Sequence, residues 1–146
     1  MVPETERKKI LVMDDEPDTR IFLSNLLENG GFEAIVAESG PEAIQTIFDE
    51  GPDLIILNVV QYRDSNILLY RCLRTDAKLQ CIPVIMLSNI DRRTFFHYHR
   101  YKNPPVGGAL PEPDAYFVKP PEAEELLQHV HRLTRGDTKE SPKETI

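Results

Sequence analysis

Asp53-Leu54-Ile55-Ile56-Leu57-Asn58 is the stretch that decides the fold of this chain. Four consecutive aliphatic residues follow the turn signal Gly51-Pro52 and an aspartate, and they end on the polar residue Asn58. An apolar run without alternation is typical of a strand that is buried on both faces of a parallel sheet. Functional groups in such sheets lie just past the carboxyl ends of the strands. The chemistry that is open to Asn58 therefore largely decides the function.

The rest of the chain alternates between short apolar strands and amphipathic helices. Further strands are predicted at 9–13, 32–37, 82–87 and 115–118, and helices at 18–29, after Ser39, after Asp64 and near Pro121. Helical spacing predicts that these helices turn the following side chains towards the core: Ile21, Phe22, Leu26, Leu27, Ala43, Ile44, Ile47, Phe48, Ile67, Leu68, Cys72, Leu73, Leu126, Leu127, Val130 and Leu133.

This alternation predicts one α/β domain, a (βα)5 doubly wound parallel sheet with helices on both faces. The domain is expected to span residues 8–134, after a flexible amino terminus at 1–7 and before a disordered tail at 135–146. The region between the fourth and fifth strands, 89–114, is irregular. A helix up to about residue 102 is expected there, followed by a loop that is rich in proline and glycine.

Composition narrows the class of protein. The formal net charge of -7 argues against a nucleic-acid or anionic-membrane binder, because such surfaces attract phosphates only when they are basic. The two cysteines, Cys72 and Cys81, cannot form a disulfide framework, and the first residues lack the apolar core of a secretion signal. We expect a cytoplasmic protein with buried free thiols and no membrane span.

Polar residues converge at the carboxyl ends of four predicted strands. Asp14 and Asp15 follow the first strand, Asn58 ends the third, Ser88 ends the fourth and Lys119 follows the fifth. Because parallel strands end at the same sheet edge, we expect these side chains to form one site.

At these residues the chain resembles the CheY-like receiver domain of response regulators in two-component signalling. The resemblance covers roughly residues 8–134. It rests on Asp14-Asp15, the run Asp-Leu-Ile-Ile-Leu before position 58, Ile-Pro-Val-Ile-Met-Leu-Ser at 82–88 and Ala-Tyr-Phe-Val-Lys-Pro at 115–120. It implies a flavodoxin-like fold with strand order 2-1-3-4-5.

The resemblance also implies roles for individual residues. Asp14, Asp15 and the main-chain carbonyl of Val60 correspond to magnesium ligands, and position 58 corresponds to the phosphoacceptor. Of the residues around that acceptor, Ser88 matches the hydroxyl that senses the phosphoryl group, Tyr116 the switch aromatic and Lys119 the phosphate-binding ammonium.

The phosphoacceptor position is where this sequence departs from the family. An amide has a delocalised nitrogen lone pair and an uncharged oxygen, so Asn58 lacks the carboxylate nucleophile that forms an acyl phosphate. Losing that charge also weakens a magnesium site. We therefore expect a degenerate receiver, or pseudo-receiver, that is not an enzyme, needs no cofactor and binds Mg²⁺ weakly at best. It should rest in one state without ligand.

Two alternatives remain open. One is a receiver that still takes a phosphoryl group, through a surrogate acid such as Asp64 or Asp91 or through deamidated Asn58. The other is a small-anion or nucleotide-binding module with Lys119 and Ser88 as anchors, although no strand end carries a glycine-rich phosphate loop.

The segment around 92–102 is the strongest candidate for a partner-contact surface, because arginine and aromatic residues anchor interfaces. The expected partner is a signalling kinase or another signalling protein, and the chain is expected to be a monomer or weak dimer. The alternative is a variant fourth helix whose aromatic residues pack on the sheet. The candidate contact residues are Arg92, Arg93, Phe95, Phe96, Arg100 and Tyr101.

Overall fold

The computed structural model describes residues 7–59, 65–97 and 111–135. The strands are β1 (Lys9–Met13), β2 (Glu33–Ala37), β3 (Leu54–Val59), β4 (Val84–Ser88) and β5 (Ala115–Val118). The helices are α1 (Pro17–Asn29), α2 (Gly40–Glu50), α3 (Ser65–Thr75), α4 (Arg92–His97) and α5 (Ala123–Thr134). All five predicted strands are present, and none of their ends is shifted by more than two residues.

The strands form one parallel sheet in the order β2-β1-β3-β4-β5, which confirms the fold predicted from the resemblance. Every residue of β3 is buried, as its unbroken apolar run predicts. Met13 pairs with Leu57, Val59 with Ser88, and Ser88 with Val118. This register brings the carboxyl ends of β1, β3, β4 and β5 to one edge of the sheet.

Helices cover both faces of the sheet, so the core consists of two layers. On one face, α1 and α5 bury Leu23, Leu27, Leu126 and Val130 against β1 and β3. On the other face, α2, α3 and α4 pack over the alternate strand residues. Successive residues of β3 therefore contribute in turn to the two layers, as the two-residue period of a strand requires.

The helix faces that are buried differ in part from the prediction. Ile21, Phe48 and Leu68 are 61%, 61% and 71% exposed, and Phe22 is also exposed. In α1 the buried stripe runs through Leu23 and Leu27. Apolar residues at consecutive positions offer two possible stripes, and packing against the sheet selects one of them. The prediction for α5 is confirmed for Leu126, Val130 and Leu133.

The expected burial of the two cysteines is wrong. Cys72 and Cys81 are both exposed free thiols. Cys72 lies on the outer face of α3 together with Leu68, four residues earlier. Because the opposite face of α3 packs on the sheet, the side chains of Leu68 and Cys72 are in solvent.

The ends of α2 follow the signals in the sequence. Ser39 Oγ accepts a hydrogen bond from the Glu42 amide at 3.2 Å and caps the amino terminus. Gly51 ends the helix at φ 60°, and its amide donates to the Ile47 carbonyl. A Cβ atom added at Gly51 or at Gly40 would meet nothing within 4 Å, so the two glycines differ chiefly in backbone conformation.

We therefore expect Gly51→Ala to lower the free energy of unfolding by about 1 kcal/mol, because the left-handed region strains a residue with a Cβ atom. Gly40→Ala is the matched control and should be neutral or stabilising by about 0.5 kcal/mol, since it restricts the unfolded chain without strain. Urea unfolding of both variants checks this pair, and equal effects would contradict the explanation.

The β4–β5 connection is described only at its two ends. Residues 98–110 lie outside the described ranges, so the predicted continuation of the fourth helix to about residue 102 is not placed. After the gap, the Tyr70 hydroxyl donates to the Pro111 carbonyl at 2.8 Å. Asp114 Oδ2 accepts from the Val84 amide at 2.8 Å and lies 3.5 Å from the Arg74 guanidinium. These contacts fix the start of β5 beside β4.

The two predicted terminal segments lie almost wholly outside the described ranges, which include only Arg7 and Arg135 of them. Arg7 forms an ion pair with Glu28 at 2.9 Å. Within the described parts of the chain, no helix combines the length and apolar character that crossing a membrane requires.

Candidate functional site

The sheet edge beyond the strand ends holds the side chains that the sequence singled out. Asp14 follows β1, Asn58 lies near the end of β3 and Lys119 follows β5. By strand alternation, Asp14 and Asn58 continue the α1/α5 face of the sheet, whereas Ser88 continues the opposite face. Asp14 and Asn58 are each 2% exposed and Ser88 is fully buried. The site is therefore split across the two faces of one edge.

Lys119 joins the β5 end to the β1 end through two carboxylates. Its Nζ atom lies 3.2 Å from Asp14 Oδ2 and 2.6 Å from Glu16 Oε1, and the lysine side chain is 8% exposed. The other oxygen of Asp14 accepts a hydrogen bond from the Glu16 amide at 2.8 Å. Both oxygens of Asp14 thus have partners inside the chain.

Glu16 is a site residue that the sequence interpretation missed. The sequence does indicate it, because Glu16 continues the acidic run Asp14-Asp15-Glu16. The resemblance to the receiver family assigns a role only to the first two of these residues. Glu16 is more than half exposed at its side chain, yet it makes the shorter of the two ion pairs with Lys119. Asp15, which was predicted as a metal ligand, is exposed.

The electrostatics of the cluster follow from burial and from the ammonium. Burial raises the pKa of Asp14, and the Glu16 amide and Lys119 oppose this rise without cancelling it. The hydrogen bond from Lys119 lowers the pKa of Glu16. The ammonium of Lys119 therefore favours the charged form of both carboxylates.

Asn58 has an unusual environment for a buried amide. Within the described part of the chain, its Oδ1 atom is buried and accepts no hydrogen bond. Its main-chain carbonyl accepts one from Asn66 Nδ2 at 2.6 Å, a contact that nothing in the sequence analysis indicated. A buried acceptor without a donor costs free energy, so this oxygen is a buried group of the site that the described residues leave unsatisfied.

Ser88 and Tyr116 meet at Ile90 on the opposite face of the sheet. Ser88 Oγ accepts from the Ile90 amide at 3.1 Å, and the Tyr116 hydroxyl donates to the Ile90 carbonyl at 2.5 Å. The Tyr116 ring is half-buried and lies 5.7 Å from Phe95 and 5.9 Å from Phe96, between ring centroids. The Lys119 amide donates to the Ser88 carbonyl at 2.8 Å, and the Lys119–Pro120 peptide bond is cis.

The residues present do not fit a resident Mg²⁺ in this arrangement. Both Asp14 oxygens are engaged, Asn58 offers a neutral oxygen, and Val60, whose carbonyl was predicted as a ligand, lies outside the described residues. In residues 7–59, 65–97 and 111–135, no group of three or more His, Cys, Asp or Glu side chains is placed to hold a metal ion. Mg²⁺ prefers several carboxylate or water oxygens in near-octahedral geometry.

The candidate surrogate acids have other roles or lie outside the described ranges. Asp91 Oδ1 accepts from the Thr94 amide at 2.9 Å and Oδ2 from the Thr94 hydroxyl at 2.8 Å. These bonds lower the pKa of Asp91 and cap α4. Asp53 is at the opposite edge of the sheet, where it accepts a hydrogen bond from the Lys9 amide, and Asp64 is not described.

The partner-contact candidates fall into three groups. Arg92 and Arg93 are exposed, and Arg92 forms an ion pair with Glu112. Phe95 is a correction to the prediction, because it is 0% exposed in the core and cannot reach a partner from this position. Phe96 is partly buried against the same cluster, as the alternative of aromatics packed on the sheet predicts. Arg100 and Tyr101 lie outside the described residues.

Comparison with known proteins agrees with this geometry. The sequence profile of the response regulator receiver domain matches residues 10–100. The chain is 27% identical over 128 residues to protein PilH of Pseudomonas aeruginosa, covering 88% of this chain and 98% of PilH. It is 34% identical over 140 residues to the phosphate regulon transcriptional regulatory protein PhoB of the same species. That match covers 94% of this chain but only 57% of PhoB.

Solved structures show the same relationship. The signal receiver domain of a signal transduction histidine kinase from Syntrophus aciditrophicus matches with a TM-score of 0.72 and 26% identity, covering 92% of this chain and 96% of that one. The receiver domain of the Francisella response regulator 1452 matches with a TM-score of 0.69 and 28% identity, covering 89% and 98%. With the profile match and the strand-end residues, these findings show that the chain belongs to the response-regulator receiver domain family of two-component signalling.

Proposed function

We propose that this chain is a pseudo-receiver, a protein-interaction module of signal transduction that works without phosphorylation and without enzymatic activity of its own. The observation that carries this proposal is the buried carboxamide of Asn58 at the phosphoacceptor position. Formation of an acyl phosphate needs a carboxylate oxygen as nucleophile, and the amide oxygen is uncharged and poorly nucleophilic. The surrounding residues of the family are retained, but the attacking group is absent from that position.

The resting state of this module is proposed to need no cofactor. Lys119 already supplies a positive charge to Asp14 and Glu16, so part of the negative charge at the sheet edge is compensated from within the chain. Binding of Mg²⁺ at Asp14, Asp15 and Val60 is proposed to be weak and dispensable. Because position 58 carries a neutral amide, the site has one carboxylate fewer than it would have with an aspartate there, and it is proposed to need no metal ion to relieve repulsion.

The proposed partner is a protein, either a signalling kinase or another signalling protein, and the chain is proposed to be a cytoplasmic monomer or weak dimer. Arg92 and Arg93 are exposed and form the described part of the proposed contact surface, to which Arg100 and Tyr101 would add. A net charge of -7 argues against nucleic acid as the partner.

The proposal is tested by incubating the protein with a small phosphodonor and Mg²⁺ and then measuring the intact mass. We expect no added phosphoryl group at any incubation time. A stoichiometric, base-labile phosphate adduct would contradict the proposal, and its position in the chain would identify the surrogate acceptor. An adduct confined to the deamidated fraction of the protein would instead assign acceptance to converted Asn58.

A further inference from the structure

The last turns of α5 line a surface cavity of about 510 Å³. The ring of His131 packs on Phe32, which directly precedes β2, with ring centroids 4.7 Å apart. The cavity therefore lies towards the amino ends of the strands, at the opposite end of the sheet from the strand-end site. Its described lining consists of Gln128, His129, His131, Arg132 and Arg135.

This lining is basic, although the chain as a whole is acidic. It contains two arginines and two histidines, and none of its described residues carries a carboxylate, whereas the formal net charge of the chain is -7. The acids at the start of α5, Glu122, Glu124 and Glu125, lie at the other end of the helix. Glu28, near the end of α1, is itself paired with Arg7 at 2.9 Å. The lining therefore offers an anion positive charge and no carboxylate of its own.

The carbonyl end of a helix repels anions, but the last carbonyls of α5 already accept hydrogen bonds. The Thr134 hydroxyl donates to the Val130 carbonyl at 2.7 Å and lies 3.2 Å from the His131 carbonyl. The Arg135 amide donates to the carbonyls of His131 and Arg132, at 3.2 and 3.3 Å. Because these bonds reduce the negative potential at the helix end, the guanidinium groups set the sign of the charge that the cavity presents.

We propose that this cavity binds a small organic phosphate of about the size of a nucleotide, held through its phosphate oxygens by Arg132 and Arg135. Guanidinium groups bind phosphate oxygens through paired N–H donors. The cavity volume falls within the range of about 300–1,000 Å³ that is typical of small-molecule sites, and inorganic phosphate would fill little of it. The acidic chain opposes a nucleic-acid polymer, which favours a single small anion.

This inference goes beyond the proposed function and does not depend on it. The cavity lies away from Asn58, and it is also distinct from a nucleotide site with Lys119 and Ser88 as anchors, which would lie at the strand ends. The two proposals can fail separately. Uptake of a phosphoryl group from a phosphodonor overturns the proposed function alone, and failure to bind the small phosphate overturns this inference alone.

The experiment is isothermal titration calorimetry of the full chain with ATP, adenosine and inorganic phosphate, in buffer without Mg²⁺. Arg132→Gln and Arg135→Gln each remove one guanidinium from the cavity. Arg135 is exposed at the end of α5, so its substitution should leave the fold intact, and a melting curve without ligand checks both variants. Lys78→Gln is the matched control, because it removes one positive charge from an exposed side chain in the α3–β4 connection, on the opposite face of the sheet.

We expect ATP to bind the wild type and to bind each arginine variant about tenfold more weakly, since each loses a charged hydrogen-bond donor. Lys78→Gln should bind ATP within about twofold of the wild type, because salt screens a distant exposed charge. Inorganic phosphate should bind about tenfold more weakly than ATP, because it makes fewer contacts in the cavity, and adenosine should not bind measurably.

Four results would overturn the inference. The first is that millimolar ATP does not bind the wild type, which needs no variant to fold. The second is that the arginine variants bind ATP as tightly as the wild type. The third is an equal loss of affinity in Lys78→Gln and the arginine variants, because binding would then follow net charge and not the cavity. The fourth is that adenosine or inorganic phosphate binds as tightly as ATP.

Discussion

Asn58→Asp is expected to change the chain from one that takes up no phosphoryl group into one that accepts it in stoichiometric yield. The substitution restores a carboxylate nucleophile at the end of β3, beside the end of β1 and on the same sheet edge as Lys119 and Ser88. Incubation with a small phosphodonor and Mg²⁺, followed by intact-mass measurement, checks this result. A variant that folds and binds Mg²⁺ but takes up no phosphate would show that the surroundings of position 58 have also lost competence.

The same substitution should make the stability of the chain depend on metal. A carboxylate at this buried position shares Lys119 with Asp14 and Glu16, so three carboxylates face one ammonium where the wild type has two. We expect the free energy of unfolding without Mg²⁺ to fall by about 3 kcal/mol. The Tm should fall by about 10 °C, and Mg²⁺ should recover most of it. An unchanged Tm with and without Mg²⁺ would contradict this account.

Asn66→Asp is the matched control for Asn58→Asp. Asn66 is also a buried amide close to the end of β3, where its Nδ2 donates to the Asn58 carbonyl. An aspartate at position 66 brings a carboxylate into a similar environment but not to position 58. It should destabilise the chain and take up no phosphoryl group. Uptake by both variants would mean that any added acid near β3 is sufficient.

Phe95→Ala is expected to lower the free energy of unfolding by about 3–5 kcal/mol, because it removes a fully buried aromatic ring from the layer beneath α4. Phe48→Ala is the matched control, since Phe48 is 61% exposed and should cost less than about 1 kcal/mol. Urea unfolding of both variants measures the difference. Similar costs for the two phenylalanines would contradict the placement of Phe95 in the core.

The burial of Phe95 removes this residue from the proposed contact surface around residues 92–102. Phe95 and Phe96 meet edge to face, with centroids 5.0 Å apart, and both pack on Tyr116. Tyr116 in turn is tied to the Ile90 carbonyl, next to the Ser88 loop. This aromatic cluster fixes α4 to β5, so the described part of the proposed surface consists of Arg92 and Arg93.

Most side chains of the candidate site could be predicted from the sequence, but their contacts could not. Asp14, Asn58, Ser88 and Lys119 could be found because each follows or ends a recognisable strand, and parallel strands end at one edge. The strand ends do not show which carboxylates Lys119 contacts. The residues that it joins lie 105 and 103 positions earlier in the chain, and a charge pattern does not specify such a pairing. Glu16 was missed for that reason.

Sequence alone determined the parallel sheet and the presence of a carboxamide, not a carboxylate, at the end of its central strand. Both are local properties: an unbroken apolar run identifies a strand that is buried on both faces, and the chemistry of a carboxamide is the same wherever it lies. The tertiary structure alone decided which stripe of α1 is buried, that Phe95 belongs to the core, and that Lys119 bridges Asp14 and Glu16. Those outcomes depend on how distant segments pack, because burial and ion pairing are set by neighbours in space and not by neighbours in the chain.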